Sequence, residues 1–310
     1  MSRFPQELFN EIIGYLWNDI PSLKACSLAH RNMTFQSQKR LFYSICLRAP
    51  TEQLNNLELV KNEISGTSYD FWRLLVRSPH IAKYVQSLFV IDYCPGFARL
   101  FRTFRAQDVD SASSEDDQTE SGLEYVTLTR GVATNPPGWL DNDKYLPRCA
   151  LLLHNVKAFT LQYNDSWQYL SSKVHIALLR LMRLSSLLYV RLESHYPSAL
   201  LNAIGDNVKH VGSESYRRPG PVKLPLLPEY LSSGPLYLDS LNIRYADKFP
   251  LNYFEDPNWR MEISRLRKLV IIAGIYEDHL AAWKILHICR ETLEDFEFTP
   301  ARDGKSIARR

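Results

Sequence analysis

LRKLVI, residues 266–271, is one copy of a short apolar pattern that recurs along the chain. Written L-x-x-L-x-L with substitutions, the pattern also occurs as LDSLNI from Leu238 and LEDFEF from Leu293. Four further copies are VQSLFV from Val85, VKAFTL from Val156, LLYVRL from Leu187 and VKHVGS from Val208. From Val156 onward, successive copies start 21 to 31 residues apart. Alternating apolar residues over so short a stretch predict a strand with one buried face.

Amphipathic helices are predicted between these strands. SSKVHIALLRLMRL, residues 171–184, and EDHLAAWKILHICRETL, residues 277–293, each precede a strand candidate. The first places five apolar residues on one helical face, namely Val174, Ala177, Leu178, Leu181 and Met182. The second does the same with Leu280, Trp283, Leu286 and Cys289. The alternation predicts an α/β fold in which residues 49–300 form a curved solenoid whose strands make one parallel sheet.

The spacing of the pattern resembles that of leucine-rich repeats, whose period is about 20 to 29 residues. The resemblance is to an irregular member of that class. The asparagine that usually follows each strand is not evident, and the copy from Val208 is degenerate. We therefore expect residues 49–300 to be an irregular, leucine-rich-repeat-like body.

Two segments interrupt the periodicity. DVDSASSEDDQTE, residues 108–120, carries six acidic residues and no basic one, which predicts a solvated, disordered loop over 107–121. RRPGPVKLPLLP, residues 217–228, contains prolines that exclude a helix and predict an extended loop over 216–228. The tail, residues 301–310, carries no repeat pattern.

The composition is that of a soluble globular protein. The chain has 310 residues, of which 45% are apolar and 23% charged, and its net charge is only +3. No run approaches 18 apolar residues, and no export signal is evident, so we expect an intracellular protein of the cytoplasm, the nucleus or both. The small net charge argues against nucleic acid and membranes as partners.

Motifs that carry chemistry are not evident in the sequence. There is no G-x-S-x-G elbow, no P-loop, no G-x-G-x-x-G after a strand, and no Cys or His spacing typical of zinc. The sequence therefore predicts neither a cofactor, a metal site nor catalytic residues. We expect no enzymatic activity, although a catalytic group assembled from distant residues stays open as an alternative.

The N-terminal stretch FPQELFNEIIGYLW, residues 4–17, is apolar on more of its circumference than one core requires. Phe4, Leu8, Ile12 and Leu16 form one stripe of a predicted helix, and Phe9, Ile13 and Trp17 form a second. Two short helices are predicted to follow, one beginning at Asp19 with Pro21 in its first turn. Either the first helix is buried in a larger domain, or one of its faces is kept for another protein.

FPQELFNEIIGYL, followed by LKACSLAHR and then RLF, resembles the F-box in the variant found at the N-terminus of fungal proteins. The resemblance covers residues 4 to about 47, and we assign residues 1–48 to an F-box-like domain. It departs from the family at Met33, where an aromatic residue is usual, and we expect Met33 to fill the same apolar space less rigidly. The adaptor-binding residues implied by the resemblance are Phe4, Pro5, Leu8, Ile12, Leu16, Leu23 and Leu28.

An F-box resemblance implies binding to a Skp-family adaptor and, through it, to a cullin and a ubiquitin ligase. The repeat-like body would then hold a protein substrate, which the sequence does not identify. The alternatives are a repeat-based scaffold that binds a partner without a ligase, and an unrecognised enzyme.

Overall fold

The computed structural model of the chain describes residues 5–17, 19–49, 64–92, 138–163, 167–194, 196, 199–214, 234–244, 260–273 and 276–300. Phe4, the acidic segment 107–121, the proline-rich segment 216–228 and the tail 301–310 lie outside the described residues. What the sequence predicts for those segments therefore stays a prediction.

One large parallel sheet organises the described residues. The strands are β1 Ser44–Arg48, β2 Ile64–Gly66, β3 Ser87–Asp92, β4 Ala158–Tyr163, β5 Tyr189–Ser194, β6 His210–Glu214, β7 Leu236–Tyr237, β8 Ser240–Arg244, β9 Met261–Glu262, β10 Lys268–Ala273 and β11 Asp295–Pro300. Nine of them form the sheet in the order β2-β1-β3-β4-β5-β6-β8-β10-β11, and β7 pairs with β9 separately. Every pairing is parallel. The predicted α/β class and the parallel sheet are confirmed, and all seven pattern copies contribute a strand to it.

The strands from β1 to β11 align so that equivalent positions stand side by side across the sheet. Ser44 is level with Ser87, Ser87 with Ala158, and the row continues to Asp295. In strands β1, β3, β4, β5, β6, β8 and β10 the second and fourth residues point into the core and are buried, and except for Ser213 they are apolar. They are Ile45, Leu47, Leu88, Val90, Phe159, Leu161, Val190, Leu192, Val211, Ser213, Leu241, Ile243, Leu269 and Ile271.

Each copy of the pattern enters its strand through the same backbone geometry. The Gln86 carbonyl accepts hydrogen bonds from the amides of Lys157 and Ala158, and the Lys157 carbonyl accepts from Leu188 and Tyr189. The same double hydrogen bond recurs at each step from Tyr43 to Asp295, at 2.7–3.1 Å. The first residue of each copy from β3 to β10 is fully buried beneath the strand that follows it. The strands therefore begin two residues after each pattern start.

In several copies, the polar side chain one residue before the pattern donates a hydrogen bond to a backbone carbonyl of the preceding repeat. Asn207 donates to the Ser185 carbonyl at 3.0 Å, and Asn155 donates to the Lys83 carbonyl at 3.0 Å. Ser186 donates to the His154 carbonyl at 2.8 Å, and Thr292 donates to the Ser264 carbonyl at 3.0 Å. The acceptor carbonyls of these four bonds lie at equivalent positions of their repeats. We call the four bonds the polar ladder, and it has the same period as the apolar core.

The helices are α1 Gln6–Tyr15, α2 Ile20–Ala29, α3 Arg31–Leu41, α4 Ser68–Arg77, α5 Leu146–Leu152, α6 Ser172–Met182, α7 Ala199–Asn202 and α8 Tyr276–Cys289. Short 3-10 turns span Pro79–Lys83 and Trp167–Tyr169. Helix α5 packs against α4 on one side and α6 on the other. None of the helices among the described residues has the length and apolar character needed to cross a membrane.

The predicted buried face of α6 is confirmed, whereas that of α8 is wrong in part. All five residues predicted on the inner face of α6 are buried. In α8, Cys289 is buried and Leu286 packs against the core, but Leu280 and Trp283 are exposed. Ala282 and Ile285 are buried instead. Because Ala282, Ile285 and Cys289 lie three and four residues apart, they form the inner face, and Leu280 and Trp283 lie on the other side of the helix.

The first three helices surround a small core of their own. Ile13 of α1, Leu23 of α2 and Leu41 of α3 are buried together, and Met33 packs against them. Asp19 begins α2 by accepting the Ser22 amide at 3.0 Å. The prediction that α2 begins at Asp19 is confirmed. Phe42 and Ile64 contact both this cluster and the core of the body, so the helices adjoin the β1 end of the sheet.

Candidate functional site: the apolar surface of the N-terminal helices

Helix α1 has little of its apolar surface in the core. Ile13 is its single buried residue, with 1% of its surface exposed. Leu8 and Ile12 are 41% and 46% exposed, and Tyr15 is 81% exposed. Positions 8, 12 and 15 are four and three residues apart, so these side chains lie along one face of the helix. The helix therefore presents an apolar stripe that its own core does not use.

Helices α2 and α3 add further exposed apolar side chains. Leu28, in the last turn of α2, is 88% exposed. Trp17, which follows α1, is 57% exposed, and Phe35 of α3 is 54% exposed. Phe35 also contacts the edge of Tyr84, with ring centroids 5.6 Å apart. We call the exposed residues Leu8, Ile12, Tyr15, Trp17 and Leu28 the N-terminal apolar surface.

Polar contacts hold the three helices in place around this surface. The Gln6 side chain donates to the Asn32 carbonyl at 2.8 Å and so joins the start of α1 to the start of α3. The Thr34 hydroxyl donates to the Ser27 carbonyl at 3.0 Å and joins α3 to α2. His30 accepts the Asn32 amide at 3.1 Å and begins α3. The exposed apolar side chains are thus carried on helices whose mutual positions are fixed.

The residues implied by the F-box resemblance fall into three groups. Pro5, Leu8, Ile12 and Leu28 are exposed. Leu16 packs partly buried against the three-helix core, and Leu23 lies inside it with 1% of its surface exposed. Phe4 lies outside the described residues. In this structure a partner cannot reach Leu23, so we assign it to the core of the unit.

Met33 occupies the position at which the F-box usually has an aromatic residue. Its side chain packs, partly buried, against the cluster of Ile13, Leu23 and Leu41. A flexible thioether fills irregular apolar space of this kind. The expectation that Met33 fills the apolar space at that position agrees with this packing.

A network of charged side chains lies on the face of the sheet opposite the helices. Arg191 of β5 binds Glu193 at 2.7 Å and Glu214 of β6 at 3.0 Å. Arg244 of β8 approaches the same Glu214 oxygen at 3.5 Å. Gly212 leaves the room for this network, because a Cβ there would stand 3.0 Å from Arg191 Cγ and 3.2 Å from the Tyr189 hydroxyl.

The carboxylates of this network are paired but partly desolvated. Burial raises the pKa of Glu193, and neighbouring Glu214 raises it further, although Arg191 and Arg244 oppose the shift. The two arginines and two glutamates balance in charge. The sequence analysis missed this network, yet the alternation of Arg191 and Glu193 within the LLYVRLES stretch, both on the outward side of β5, is a signal that it could have used.

Buried polar groups at the carboxyl ends of β3 and β4 serve the packing of the body. The Tyr163 hydroxyl donates to the Asp141 carboxylate at 2.7 Å, and both residues are at most 3% exposed. The Trp139 indole donates to the Ile91 carbonyl at 2.9 Å. Tyr163 and Asp141 are therefore closed to a substrate in this structure, whereas the Trp139 side chain is partly buried. Within the described residues no group of three His, Cys, Asp or Glu side chains is placed to hold a metal ion.

Comparisons of this chain with protein-family models, with curated proteins and with solved structures found no match.

Proposed function

We propose that this chain is the substrate-recognition subunit of a ubiquitin ligase of the Skp–cullin–F-box type. Its N-terminal helices bind a Skp-family adaptor and through it a cullin, and its irregular leucine-rich-repeat-like body holds a protein substrate. The observation that carries the proposal is the N-terminal apolar surface. A unit of three short helices leaves Leu8, Ile12, Tyr15 and Leu28 substantially uncovered, although its own core is small.

The body supports the second half of the proposal. Its repeating strands form a rigid sheet, and consecutive repeats are held by the same hydrogen bonds. A repeat body of this kind presents an extended surface to a partner. With both binding modules on one chain, the protein raises the local concentration of the substrate near the ubiquitin-charged enzyme and makes or breaks no bond itself. The role places the protein in the cytoplasm, the nucleus or both.

A repeat-based scaffold without a ligase is the alternative. It uses the same body, but it gives no reason for the exposed apolar residues of α1 and α2. A scaffold would need another partner for the same helices, whereas the proposed function predicts the adaptor as that partner.

Calorimetric titration of the purified chain with a purified Skp-family adaptor tests the proposal. We expect a one-to-one complex, and we expect Leu28→Asp to weaken it at least tenfold. Leu280→Asp is the matched control, because Leu280 is an exposed leucine on α8 at 55% exposure. The control is expected to bind as the parent does. Absence of binding by the parent, or equal loss in both variants, contradicts the proposed function.

A further inference from the structure

A groove lies between α5 and α6 on the helical side of the body. Its volume is about 710 Å³. Leu151, Ile176 and Leu184 form its apolar lining, and Lys173, Arg180 and Arg183 form its charged lining. We call this the cationic groove.

Two of the three apolar side chains that line the cationic groove, Leu151 and Ile176, are exposed, whereas Leu184 packs partly buried against the core. Ile176 is 42% exposed, and it lies on the side of α6 away from Val174 and Leu178, which are buried. Leu151 is 54% exposed in the last turns of α5. Two neighbouring helices thus expose branched apolar side chains toward one cleft, where they can receive an apolar side chain from a partner.

The charge around the groove is strongly one-sided. The charged side chains that line the groove, Lys173, Arg180 and Arg183, are all positive, although the whole chain has a net charge of only +3. Helices α5 and α6 contain no Asp or Glu at all. Neither Lys173 nor Arg180 forms an ion pair with a carboxylate among the described residues.

The helix dipole accounts for only part of this pattern. Arg180 and Arg183 lie at the carboxyl end of α6, where positive charge is favourable. Lys173 lies in the first turn of α6, where the dipole makes positive charge unfavourable. Lys173 therefore stands against the dipole and has no carboxylate partner within the described part of the chain, so its charge contributes to the groove rather than to the stability of the helix.

The cationic groove also differs from the charged network on the opposite face of the sheet. There Arg191 is paired with Glu193 and Glu214, so its charge is compensated within the chain. In the groove, Lys173 and Arg180 have no such carboxylate partner among the described residues. Resting on the proposed function, the geometry points to a substrate class: the groove binds an acidic peptide segment of a protein substrate that inserts an apolar side chain between α5 and α6.

Fluorescence anisotropy with designed peptides tests this inference. The probe is a fluorescein-labelled peptide in which two leucines, four positions apart, are set among aspartates and glutamates. One comparison peptide has serines in place of the leucines, and another has lysines in place of the acidic residues. The parent chain is expected to bind the acidic, leucine-containing probe at least tenfold more tightly than either comparison peptide, with an affinity that falls as salt is added.

Charge-reversal variants locate the binding. Lys173→Glu with Arg180→Glu is expected to weaken the probe at least tenfold. Arg267→Glu with Arg290→Glu makes the same change in net charge away from the groove, at side chains that are 67% and 63% exposed, and is expected to bind the probe within twofold of the parent. Circular dichroism checks that each variant keeps its fold.

Several results would overturn the inference. They are no binding of the probe by the parent, equal binding of the lysine peptide, or equal loss in the two charge-reversal variants. A variant lacking residues 107–121 that binds the probe tenfold more tightly would identify the chain's own acidic segment as the occupant. Sedimentation with phosphatidylserine vesicles that is lost in Lys173→Glu, Arg180→Glu would identify a membrane instead.

Titration of the same variants with the adaptor separates the two proposals. If the adaptor binds and the probe does not, the inference about the groove fails and the proposed function stands. If the adaptor does not bind, the proposed function fails whatever the probe does.

Discussion

Replacing Leu8 and Ile12 together by aspartate perturbs the exposed stripe of α1. Complete burial of a leucine or isoleucine side chain is worth about 1.5–3 kcal/mol. Since 41% of Leu8 and 46% of Ile12 are exposed, docking can cover about that fraction of each side chain. The pair therefore contributes roughly 1.3–2.6 kcal/mol to adaptor binding. A loss of that size weakens the complex about tenfold to a hundredfold, and desolvating two unpaired carboxylates weakens it further.

The same substitutions also act on folding, and the two effects must be separated. A little over half of each side chain is already buried in the free chain, so its replacement costs the three-helix unit about 0.8–1.8 kcal/mol per residue. Ile13→Val is the folding control, with a smaller cost than the double variant. It removes a methyl group from the core of the unit, at a cost of about 0.5–1.5 kcal/mol, and leaves the exposed stripe intact.

Calorimetry measures the affinity for the adaptor, and thermal melting measures the stability of each variant. We expect the double variant Leu8→Asp, Ile12→Asp to bind the adaptor at least tenfold more weakly, and Ile13→Val to bind it as the parent does despite a lower melting temperature. Normal adaptor binding by the double variant would contradict the assignment of Leu8 and Ile12 to the adaptor-binding surface. The assignment is also contradicted if Ile13→Val loses as much affinity, because the loss would then follow folding rather than contact.

Further changes test the packing and electrostatics of the body. Leu192→Ala, at a fully buried inward position of β5, is expected to lower the free energy of unfolding by about 2–5 kcal/mol in urea denaturation. An unchanged urea midpoint would contradict the strand register that places Leu192 in the core. Asn207→Ala removes the donor to the Ser185 carbonyl and is expected to cost about 0.5–1.5 kcal/mol in the same assay, so full retention of stability contradicts the polar ladder. Burial lowers the pKa of His175 from its ordinary value of 6.5. As the pH falls through 6.5, the histidine is protonated in the unfolded chain before it is protonated in the folded chain, so the parent loses stability. His175→Gln can still donate to the Trp167 carbonyl and is expected to lose less stability between about pH 7.5 and 5.5; equal losses contradict the role of His175.

The apolar pattern predicted the strands of the repeat-like body correctly because each copy places the same positions in the core. Val156 and Leu187 are buried before their strands begin, and the inward residues of the strands follow them. The pattern therefore starts two residues earlier than the strand. The sequence shows the spacing of the buried apolar residues. The start of each strand depends instead on where the backbone hydrogen bonds to the preceding repeat begin.

The polar ladder between repeats was not predictable in the same way. Asn155, Ser186, Asn207 and Thr292 occupy one equivalent position, but they are chemically mixed, and their partners are backbone carbonyls of another repeat. Any side chain that donates a hydrogen bond can serve there. A search for an asparagine after the strand therefore finds no signal, whereas the position one residue before the pattern carries Asn, Ser or Thr in four of the seven copies.

Helical periodicity located amphipathic faces but did not decide which part of a broad apolar arc is covered. In α8, apolar residues lie on both sides of the helix, and only the side with Ile285 and Cys289 is buried, whereas Leu280 and Trp283 on the other side are exposed. In α1 the sequence indicated two stripes, and the structure turns Ile13 inward while Leu8 and Ile12 stay exposed. Which stripe faces the core depends on tertiary contacts with α2, α3 and β1 that a single sequence does not contain.

Hydrogen exchange of the full chain with and without the Skp-family adaptor locates the docking surface without any substitution. We expect the adaptor to slow amide exchange in α1 and in the last turn of α2, at Gln6–Tyr15 and around Leu28, while β4 to β11 exchange as in the free chain. Unchanged exchange in the N-terminal helices, or protection confined to the sheet of the body, would contradict the assignment of the N-terminal apolar surface as the adaptor-binding site.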